Sequence, residues 1–231
     1  REYQVLRPAA RRLGLHAFDI PMLRNNVPYG GRPACIRCRW CVGFACEVDA
    51  KNGTHNTVLP RALATGNCVL RTESIAREVL TDARGRARGV AYFDAHGRLQ
   101  EQPADLVVVS GGAIESARLL LNSNSKLFPN GLGNRYGWVG RNLQGHTYAG
   151  AAGLFGFDTY DDLGPGASVA ICDYNHGNPG LIGGGLLANE FIRLPYLFAS
   201  QVRPPQVPRW GAAHKDFMRR WYRRSISVHG P

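Results

Sequence analysis

Four of the six cysteines lie between positions 35 and 46, in the segment ACIRCRWCVGFAC. They are Cys35, Cys38, Cys41 and Cys46, and their spacing is C-x2-C-x2-C-x4-C. Thiolates this close in sequence can wrap one small inorganic core, and ferredoxin-type iron-sulfur clusters use a similar run. The run departs from that pattern in its last spacing and at Glu47, where ferredoxins have a proline. The spacing therefore predicts a shared metal site, with an iron-sulfur cluster as the first interpretation.

Two other states of the cysteine segment stay open. Structural zinc more usually takes two cysteine pairs separated by a longer loop, so the compact run fits zinc less well. Metal-free thiols or a disulfide form the third state. Cysteines three residues apart close strained rings, however, and nothing in the sequence indicates an oxidising compartment.

A second candidate site lies in ADLVVVSGGAIESARLLLNS, at positions 104–123. The continuous apolar run predicts a strand buried on both faces, and Gly111 and Gly112 turn it into a helix. Its inner stripe is predicted to hold Ile114, Ala117, Leu120 and Leu121. Paired glycines let the backbone approach a ligand, and a helix N-terminus offers N–H groups to a phosphate. Tight packing of helix on strand explains the glycines equally well, and the chain contains no G-x-G-x-x-G fingerprint.

The elements around these sites follow from periodicity and turn residues. Positions 1–16 have helical spacing, with Gly14 as a natural end, and TVLPRALATG predicts a short helix that begins at Pro60 and ends at Gly66. From Cys68 to position 110 the pattern predicts a meander of strands, among them CVLRTES, IAREVLTD and VAYFD. Glycine becomes frequent after position 123, which predicts a loop-rich antiparallel second lobe.

Composition limits the classes of protein. The chain has 231 residues, 44% of them hydrophobic and 19% charged, which is typical of a packed globule and argues against disorder. No apolar run approaches the roughly 18 residues that span a bilayer, so we expect no transmembrane segment. The net charge of +11 attracts anions. The basic and aromatic run MRRWYRRS resembles a nucleic-acid surface, but an amphipathic helix explains it better because no nucleic-acid-binding signature accompanies it.

Two further features of the second half have open interpretations. His214 could act as a base near neutral pH, but its turn-like setting favours a structural hydrogen bond. The segment RPPQVPRW suits either the wall of a substrate lobe or a contact between subunits.

The glycine-hinged segment has a specific resemblance. LVVVSGGAIESARLLLNSNS resembles the second signature of the glucose-methanol-choline (GMC) oxidoreductases, which are flavoenzymes that bind FAD. VGRNLQGH resembles the VGxNLxDH element of that family, although Gly145 replaces the usual aspartate and Ala117 stands where proline is frequent. The cysteine run with DAKNGTHNTVLPRALATG is similar to the bacterial sugar and polyol dehydrogenases, some of which carry an iron-sulfur cluster in this region. The resemblance covers residues 29–146.

The resemblance implies contacts with FAD, residue by residue. It implies that Ala76 touches the adenine through its main chain, and that Gly111, Gly112 and Ala113 line the adenosine and pyrophosphate.

The same resemblance implies that Asn142 and His146 lie near the flavin side of the pocket. It places the G-x-G-x-x-G of the family before the residues of this chain, and the catalytic histidine pair after them. No catalytic residue is therefore assigned.

The expected fold class is α/β with an antiparallel β portion (α+β). It comprises part of an FAD-binding Rossmann-like domain and the start of a β-rich substrate domain. Residues 1–146 would form the middle of the FAD-binding domain, with the Cys-rich loop (35–46) and the β-meander (68–110). Residues 147–231 would begin the substrate-binding domain.

The function implied is part of an FAD-dependent oxidoreductase that oxidises an alcohol or sugar hydroxyl by hydride transfer to flavin. An iron-sulfur relay would be added if the cysteines hold a cluster. We expect a central fragment that is inactive alone, with other chains completing the flavin site or accepting electrons, no nucleic-acid partner and a cytoplasmic location. One alternative is a Cys-ligated electron-transfer or scaffold subunit that completes a flavin site with other chains. Another is a basic, zinc-containing nucleic-acid-binding protein.

Overall fold

The computed structural model describes residues 2–38, 40–160, 163–164, 166–190 and 194–230. The elements within these ranges are, in order, α1 (Glu2–Arg12), β1 (Ala17–Asp19), a 3-10 turn (Thr54–Asn56), α2 (Val58–Ala64), β2 (Ile75–Thr81), β3 (Ala87–Phe93), β4 (Leu99–Pro103), α3 (Gly112–Asn122), β5 (Ala149–Leu154), β6 (Val169–Ile171), β7 (Leu187–Asn189), α4 (Pro195–Gln201), α5 (Ala212–Trp221) and β8 (Ser225–Gly230). The mixture of helices and antiparallel strands confirms the expected fold class.

Contacts between residues divide the chain into two compact units. One is the central unit, residues 61–145, and the other is the outer unit, residues 1–60 together with 146–231. This division does not test functional roles, so a flavin-domain boundary at residue 146 stays a prediction. None of the helices in the described ranges has the length and apolar character needed to span a bilayer.

The central unit is built on an antiparallel meander in the order β2-β3-β4. Asp82 and Asp94 form its two hairpin turns, because each carboxylate accepts N–H groups two and four residues further along, at 2.8–3.0 Å. Aspartate commonly binds its own backbone in this way at turns. Local side-chain hydrogen bonds therefore set both hairpin turns of the meander.

Helix α3 packs against the edge strand β2. Ser123, at the C-cap of α3, donates its hydroxyl to the Leu119 carbonyl at 2.6 Å, and its Oγ accepts the buried N–H of Val79 at 2.8 Å. Because a buried strand-edge N–H needs an acceptor, this bond fixes the helix to the sheet. The predicted helix is confirmed. Its predicted inner stripe is wrong in part, since Ala117 and Leu120 are half-buried but Ile114 is 59% exposed.

The strand predicted at ADLVVVS, residues 104–110, is wrong. The segment has no regular secondary structure, and Leu106 and Val108 are 78% and 76% exposed. A strand needs a hydrogen-bonded neighbour, and no described strand pairs with this segment. The strand predicted at CVLRTES, residues 68–74, is wrong for the same reason. Apolar composition predicted burial in a sheet, but strand pairing decides it.

The outer unit contains an antiparallel sheet whose described strands follow the order β1-β6-β7-β8-β5. Val169, Ala170 and Ile226 are buried in it. The rings of Phe198 in α4 and Phe217 in α5 stack with centroids 5.5 Å apart. The antiparallel character predicted for the second half is confirmed, but the sheet also includes β1 from the N-terminal segment, and residues 124–145 belong to the central unit.

A buried hydrogen-bond network fixes α1 to this sheet. Asn189, which is 1% exposed, accepts the N–H groups of Ser168 and Val169 through Oδ1 at 2.8 and 2.9 Å. Its Nδ2 donates to the carboxylate of Glu2 at 2.7 Å and to the carbonyl of Gly166 at 3.2 Å. One amide side chain therefore connects α1, β6 and β7.

Two helix predictions can be compared directly with the structure. The helix predicted in the first sixteen positions is confirmed as α1, and Gly14 follows it with a φ of +72°. Helix α2 begins at Val58, two residues before the predicted start at Pro60. Proline is tolerated in the first turn of a helix, since the N–H it lacks has no partner there.

Candidate functional site

The first candidate cavity lies where α3 begins and has a volume of about 500 Å³. Ala76 and Gly111, two residues implied in FAD binding, both line it, together with Ser110 and Glu115. Because β2 is an edge strand of the described meander, one side of its backbone faces away from β3. The structure therefore brings together two segments about 35 residues apart that the resemblance assigned to one adenosine site.

The paired glycines have different local roles. Gly112 has a φ of +77°, which L-residues rarely adopt, and a Cβ built there would meet no heavy atom within 4 Å. Gly111 has a φ of −83°, but its Cβ would lie 3.3 Å from the Cβ of Glu115. Packing on the helix thus explains Gly111, whereas conformation explains Gly112 and leaves space beside the backbone.

Hydrogen bonds at the start of α3 determine which N–H groups a ligand can reach. The N–H of Gly111 donates to the hydroxyl of Ser116 at 3.0 Å. An α-helix has no internal acceptor for the N–H groups of its first turn, which here begins at Gly112. An anionic or hydroxyl-rich ligand could therefore bind at residues 112–114.

A second cavity of about 650 Å³ lies on the other part of the α3 surface. Ala113 and Asn142, both implied in FAD binding, line it together with Arg141. Arg118 and Asn122 line both cavities, so the two cavities adjoin along α3. Of the implied cofactor residues in the central unit, Gly112 alone lines neither, although it lies between residues that do.

The two adjoining cavities differ in charge. The first contains the carboxylate of Glu115, which pairs with Arg118 at 2.9 Å on the exposed face of α3. Arg118 lines both cavities, and the second adds Arg141 and has no carboxylate among its lining residues. A carboxylate suits ligand hydroxyls and guanidinium groups suit phosphate oxygens. The charges therefore fit a nucleotide whose sugar and phosphates occupy different cavities.

His146, the last residue implied in flavin contact, belongs to the outer unit. Its ring meets the ring of Tyr148 edge-on, with centroids 5.4 Å apart. It lines neither of the cavities described above. Its predicted role near the flavin is not tested by these contacts.

A third cavity, of about 300 Å³ and in the outer unit, is the cysteine cavity, which Cys35, Cys38, Cys41 and Cys46 all line. Backbone bonds hold the two ends of the cysteine segment together. The N–H of Asn25 donates to the carbonyl of Ala50, and the N–H of Cys35 donates to the carbonyl of Asn25, each at 2.8 Å. The four cysteines therefore border one shared space.

The electrostatic environment differs between two of the thiols. Burial raises the pKa of Cys41, and the neighbouring Cys38 and Cys35 raise it further. Burial also acts to raise the pKa of Cys46, but backbone N–H groups, led by that of Lys51, outweigh it and lower the pKa. The N–H groups of Ala50 and Lys51 reach the Cys46 sulfur at 3.2 and 3.4 Å. Of these two cysteines, Cys46 is therefore the one that more readily ionises to a thiolate.

Two cations also line the cysteine cavity. Arg24 donates through Nη1 to the sulfur of Cys35 at 3.5 Å, and its buried Nε has no hydrogen-bond partner in the described part of the chain. Lys51 donates through Nζ to the carbonyls of Cys41 at 2.8 Å and Phe44 at 3.0 Å. A buried donor without an acceptor indicates a missing polar or anionic neighbour. Glu47 also lines the cavity, so its lining carries both signs of charge, with one cationic donor left to be paired.

The four thiols are not arranged for a single metal ion. Within the described ranges, no group of three or more His, Cys, Asp or Glu side chains could hold one. A tetrahedral ion with metal–sulfur bonds of about 2.3 Å needs its sulfurs only about 3.8 Å apart. All six cysteines are free thiols, so the disulfide alternative is not observed. A metal at these cysteines stays a prediction.

Comparison with known proteins identifies the family. A model of the GMC oxidoreductase family matches residues 1–148. The gluconate 2-dehydrogenase flavoprotein of Pantoea cypripedii is 31% identical over 98% of this chain and 39% of its own length. The 6'''-hydroxyparomomycin C oxidase of Streptomyces lividus is 35% identical over 74% of this chain and 33% of its own length. The fructose dehydrogenase large subunit of Gluconobacter japonicus is 27% identical over 60% of this chain and 25% of its own length.

The chain belongs to the GMC oxidoreductase family. The resemblance stated from the sequence is thereby confirmed, and so is the prediction of a GMC-type oxidoreductase. GMC oxidoreductases bind FAD, and the two adjoining cavities lie within the matched residues. The chain spans about two fifths or less of the length of these GMC relatives.

Sequence reasoning missed several residues that line the cavities on α3 and the cysteine cavity. Arg118 and Asn122 are four positions apart on α3, so helical spacing could have placed them on one face. Arg24 and Lys51 lie on either side of the cysteine run and pair through an isolated backbone bridge. No local signal predicts that bridge, because it joins residues that are distant in sequence.

Proposed function

We propose that the whole protein is an FAD-dependent GMC oxidoreductase that oxidises a hydroxyl group of a sugar or a related alcohol. We further propose that the central unit holds the adenosine half of FAD. Family membership supports the reaction type, and relatives named for gluconate and hydroxyparomomycin support a carbohydrate-like substrate. The observation that carries the proposal is that Ala76 and Gly111 line the same cavity.

The side chains around this cavity account for binding. Glu115 would accept hydrogen bonds from ribose hydroxyls, as acidic residues do in Rossmann-type sites. Arg118 and Arg141 would neutralise the phosphates from the adjoining cavity, and the first N–H groups of α3 would add donors. When bound, FAD supplies the acceptor for hydride from the carbon that bears the substrate hydroxyl. We assign no catalytic base to this chain.

A cavity-filling variant tests the FAD proposal. Ala76→Leu places a larger side chain in the adenosine cavity while keeping an apolar residue in β2. We expect it to weaken FAD binding about tenfold or more, since inserting bulk into a fitted site typically costs about 1–3 kcal/mol. Flavin fluorescence during reconstitution of the intact apoprotein measures the affinity.

Ala151→Leu is the matched control, because Ala151 is exposed in strand β5 and lines none of the cavities described. It should bind FAD like the parent protein. Equal affinity of the Ala76→Leu variant and the parent would refute the placement of adenosine at β2. An intact protein that binds no flavin at all would refute the function itself.

We propose in addition that the four cysteines hold an iron-sulfur cluster, which when bound supplies one-electron transfer to an acceptor. The shared cavity, the N–H groups on Cys46 and the unpartnered Nε of Arg24 support an anionic, sulfur-ligated group. A relative named as a large subunit supports an acceptor on another chain. A cytoplasmic location is also part of this proposal.

Elemental analysis of the intact protein, purified without air, tests the cluster. Iron and acid-labile sulfide should be present, and Cys41→Ser should lose both while retaining FAD. Cys172→Ser is the matched control, because Cys172 is a half-buried thiol outside the cysteine cavity. Stoichiometric zinc without sulfide, or neither element, would overturn the cluster and leave the flavin proposal intact.

A further inference from the structure

A fourth cavity, of about 550 Å³, is lined by residues of α4, of α5 and of the segment that joins them. We call it the arginine cavity, because Arg203 and Arg209 line it together with His214. Tyr196 and Met218 contribute apolar surface to the same wall. None of the roles assigned so far uses this cavity.

Basic side chains and no acidic ones line the arginine cavity. Its lining residues include two guanidinium groups and an imidazole but no carboxylate. The nearest carboxylate on α5 in sequence, that of Asp216, pairs with Arg219 at 3.2 Å and does not line the cavity. Like charges repel when they share a cavity, so this arrangement is unfavourable until an anion joins it.

Backbone acceptors hold two of these groups in place. Arg203 donates through Nη1 to the carbonyls of Pro204, at 3.2 Å, and of Val207. The Nδ1 of His214 lies 3.2 Å from the carbonyl of Pro208. A carbonyl can only accept, so Nδ1 donates, and Nε2 remains for another partner. Both side chains are thus oriented before a ligand arrives.

Arg209 differs from Arg203 and His214. It makes no hydrogen bond or ion pair with any of the residues that the structure describes. Its guanidinium can therefore turn toward a ligand without breaking an existing bond. Arginine suits this use because its planar fork binds a carboxylate or a phosphate through two parallel hydrogen bonds.

The walls of the cavity are rigid enough to keep these groups together. Phe198 in α4 and Phe217 in α5 are buried and stack with their planes 15° apart. Tyr222 packs edge-on against Phe198 with centroids 5.5 Å apart. The two helices that carry the cavity therefore share one aromatic core.

We propose that the arginine cavity binds a small organic anion that presents a carboxylate or a phosphate to Arg203 and Arg209. The volume lies within the range of small-molecule sites, and Tyr196 and Met218 would contact the uncharged body of the ligand. The site is separate from the FAD and cysteine cavities in its lining residues, and it does not depend on either being occupied.

Isothermal titration calorimetry of the intact protein at low ionic strength tests the site. The probes are D-gluconate, D-glucose 6-phosphate and D-glucose, which share a polyol body but differ in charge. We expect saturable binding of one or both anions that depends on Arg209, whereas any binding of D-glucose at the substrate site should not depend on it. Preference between the two anions identifies the carboxylate or the phosphate as the recognised group.

The variant Arg209→Met should weaken anion binding at least tenfold, because it removes one of the two guanidinium groups proposed to bind the anion. Arg209 makes no described bond within the protein, so the substitution should not disturb the fold. Arg219→Met is the matched control, since it removes the same charge from α5 outside the cavity and should leave affinity within twofold of the parent. Equal losses in both variants would show nonspecific charge attraction and overturn the site. Absence of anion binding, or anion binding that Arg209→Met leaves unchanged, would also overturn it.

Discussion

At the scale of single residues, polar groups buried at two places hold the outer unit in its fold and shape its chemistry. Asn189 is a buried residue, whereas Arg24 is half-buried with its Nε buried, and the environments of the two groups differ. The Oδ1 and Nδ2 atoms of Asn189 both form hydrogen bonds within the chain. The Nε of Arg24, in the cavity lined by four cysteines, has no acceptor among the described residues. Fully paired buried groups stabilise a fold, and an unpaired one indicates a ligand.

Asn189→Ala should destabilise the protein by about 3 kcal/mol. The substitution leaves two N–H groups without an acceptor and the Glu2 carboxylate without this donor, and each buried unpaired group costs about 1–3 kcal/mol. Urea unfolding of the intact protein measures the change in the free energy of unfolding.

Asn178→Ala is the control for that experiment, because Asn178 donates to the carbonyls of Tyr174 and Gly183 in an exposed loop. It should cost about 1 kcal/mol or less. Similar losses in the two variants would contradict a special role for the buried network.

At the scale of elements, the start of α3 shows how a local backbone conformation prepares a binding site. Gly112 adopts a left-handed conformation at the first helical residue, and the space beside its backbone is open. The cavities on α3 share Arg118, while Glu115 lines only one of them and Arg141 only the other. Helix α3 positions Glu115 and Arg118 together, because residues three positions apart are neighbours on the surface of a helix.

Gly112→Ala should lower the free energy of unfolding by roughly 1–2 kcal/mol, since an L-residue in the left-handed region is strained by that amount. The space around Gly112 is open, so no steric cost adds to it. Gly145→Ala serves as the control, because its φ lies outside that region and a Cβ there would meet nothing within 4 Å. If both substitutions have the same effect in urea unfolding, the conformational explanation fails.

At the scale of the whole molecule, bonds between residues distant in sequence hold the outer unit together. The ring Nδ1 of His16 lies 2.7 Å from Asp173, and the backbone N–H of His16 donates to the same carboxylate at 3.1 Å. The side-chain hydrogen bond to His16 is the largest cause of the lowered pKa of Asp173. The N-terminal segment is thus connected to the loop after β6 by a bond that depends on pH.

The protein should lose stability in acid partly because protonation of Asp173 weakens its hydrogen bonds with His16. A carboxyl whose pKa is lowered by folding contributes stability above its unfolded pKa, here near 3.8, and loses it as the pH falls through the folded value. Asp173→Asn should therefore unfold at a lower temperature than the parent at neutral pH. The difference in unfolding temperature between the variant and the parent should decrease as the pH falls below 3.8. Thermal unfolding followed by circular dichroism measures both effects.

Asp105→Asn provides the comparison, since Asp105 is exposed and none of the described hydrogen bonds or ion pairs involves it. Its unfolding temperature should follow that of the parent at every pH. A constant difference between Asp173→Asn and the parent throughout the acid range would show that ionisation of Asp173 does not contribute.

The sequence by itself determined the local features of this protein. Asp82 and Asp94 each specify a hairpin turn, Gly14 follows α1, and the spacing of the four cysteines is sufficient to predict one shared space. These features depend on residues close in the chain, whose sterics and hydrogen bonds act without the rest of the fold. The signatures around Gly111 likewise indicated the family that comparison confirmed.

Only the tertiary structure decided which distant residues share a site. It placed Arg24 and Lys51 beside the cysteines, brought Ala76 to Gly111, and left the apolar segment 104–110 without a strand partner among the described residues. Local patterns cannot determine such contacts, because strand pairing and side-chain burial depend on which distant surfaces pack together.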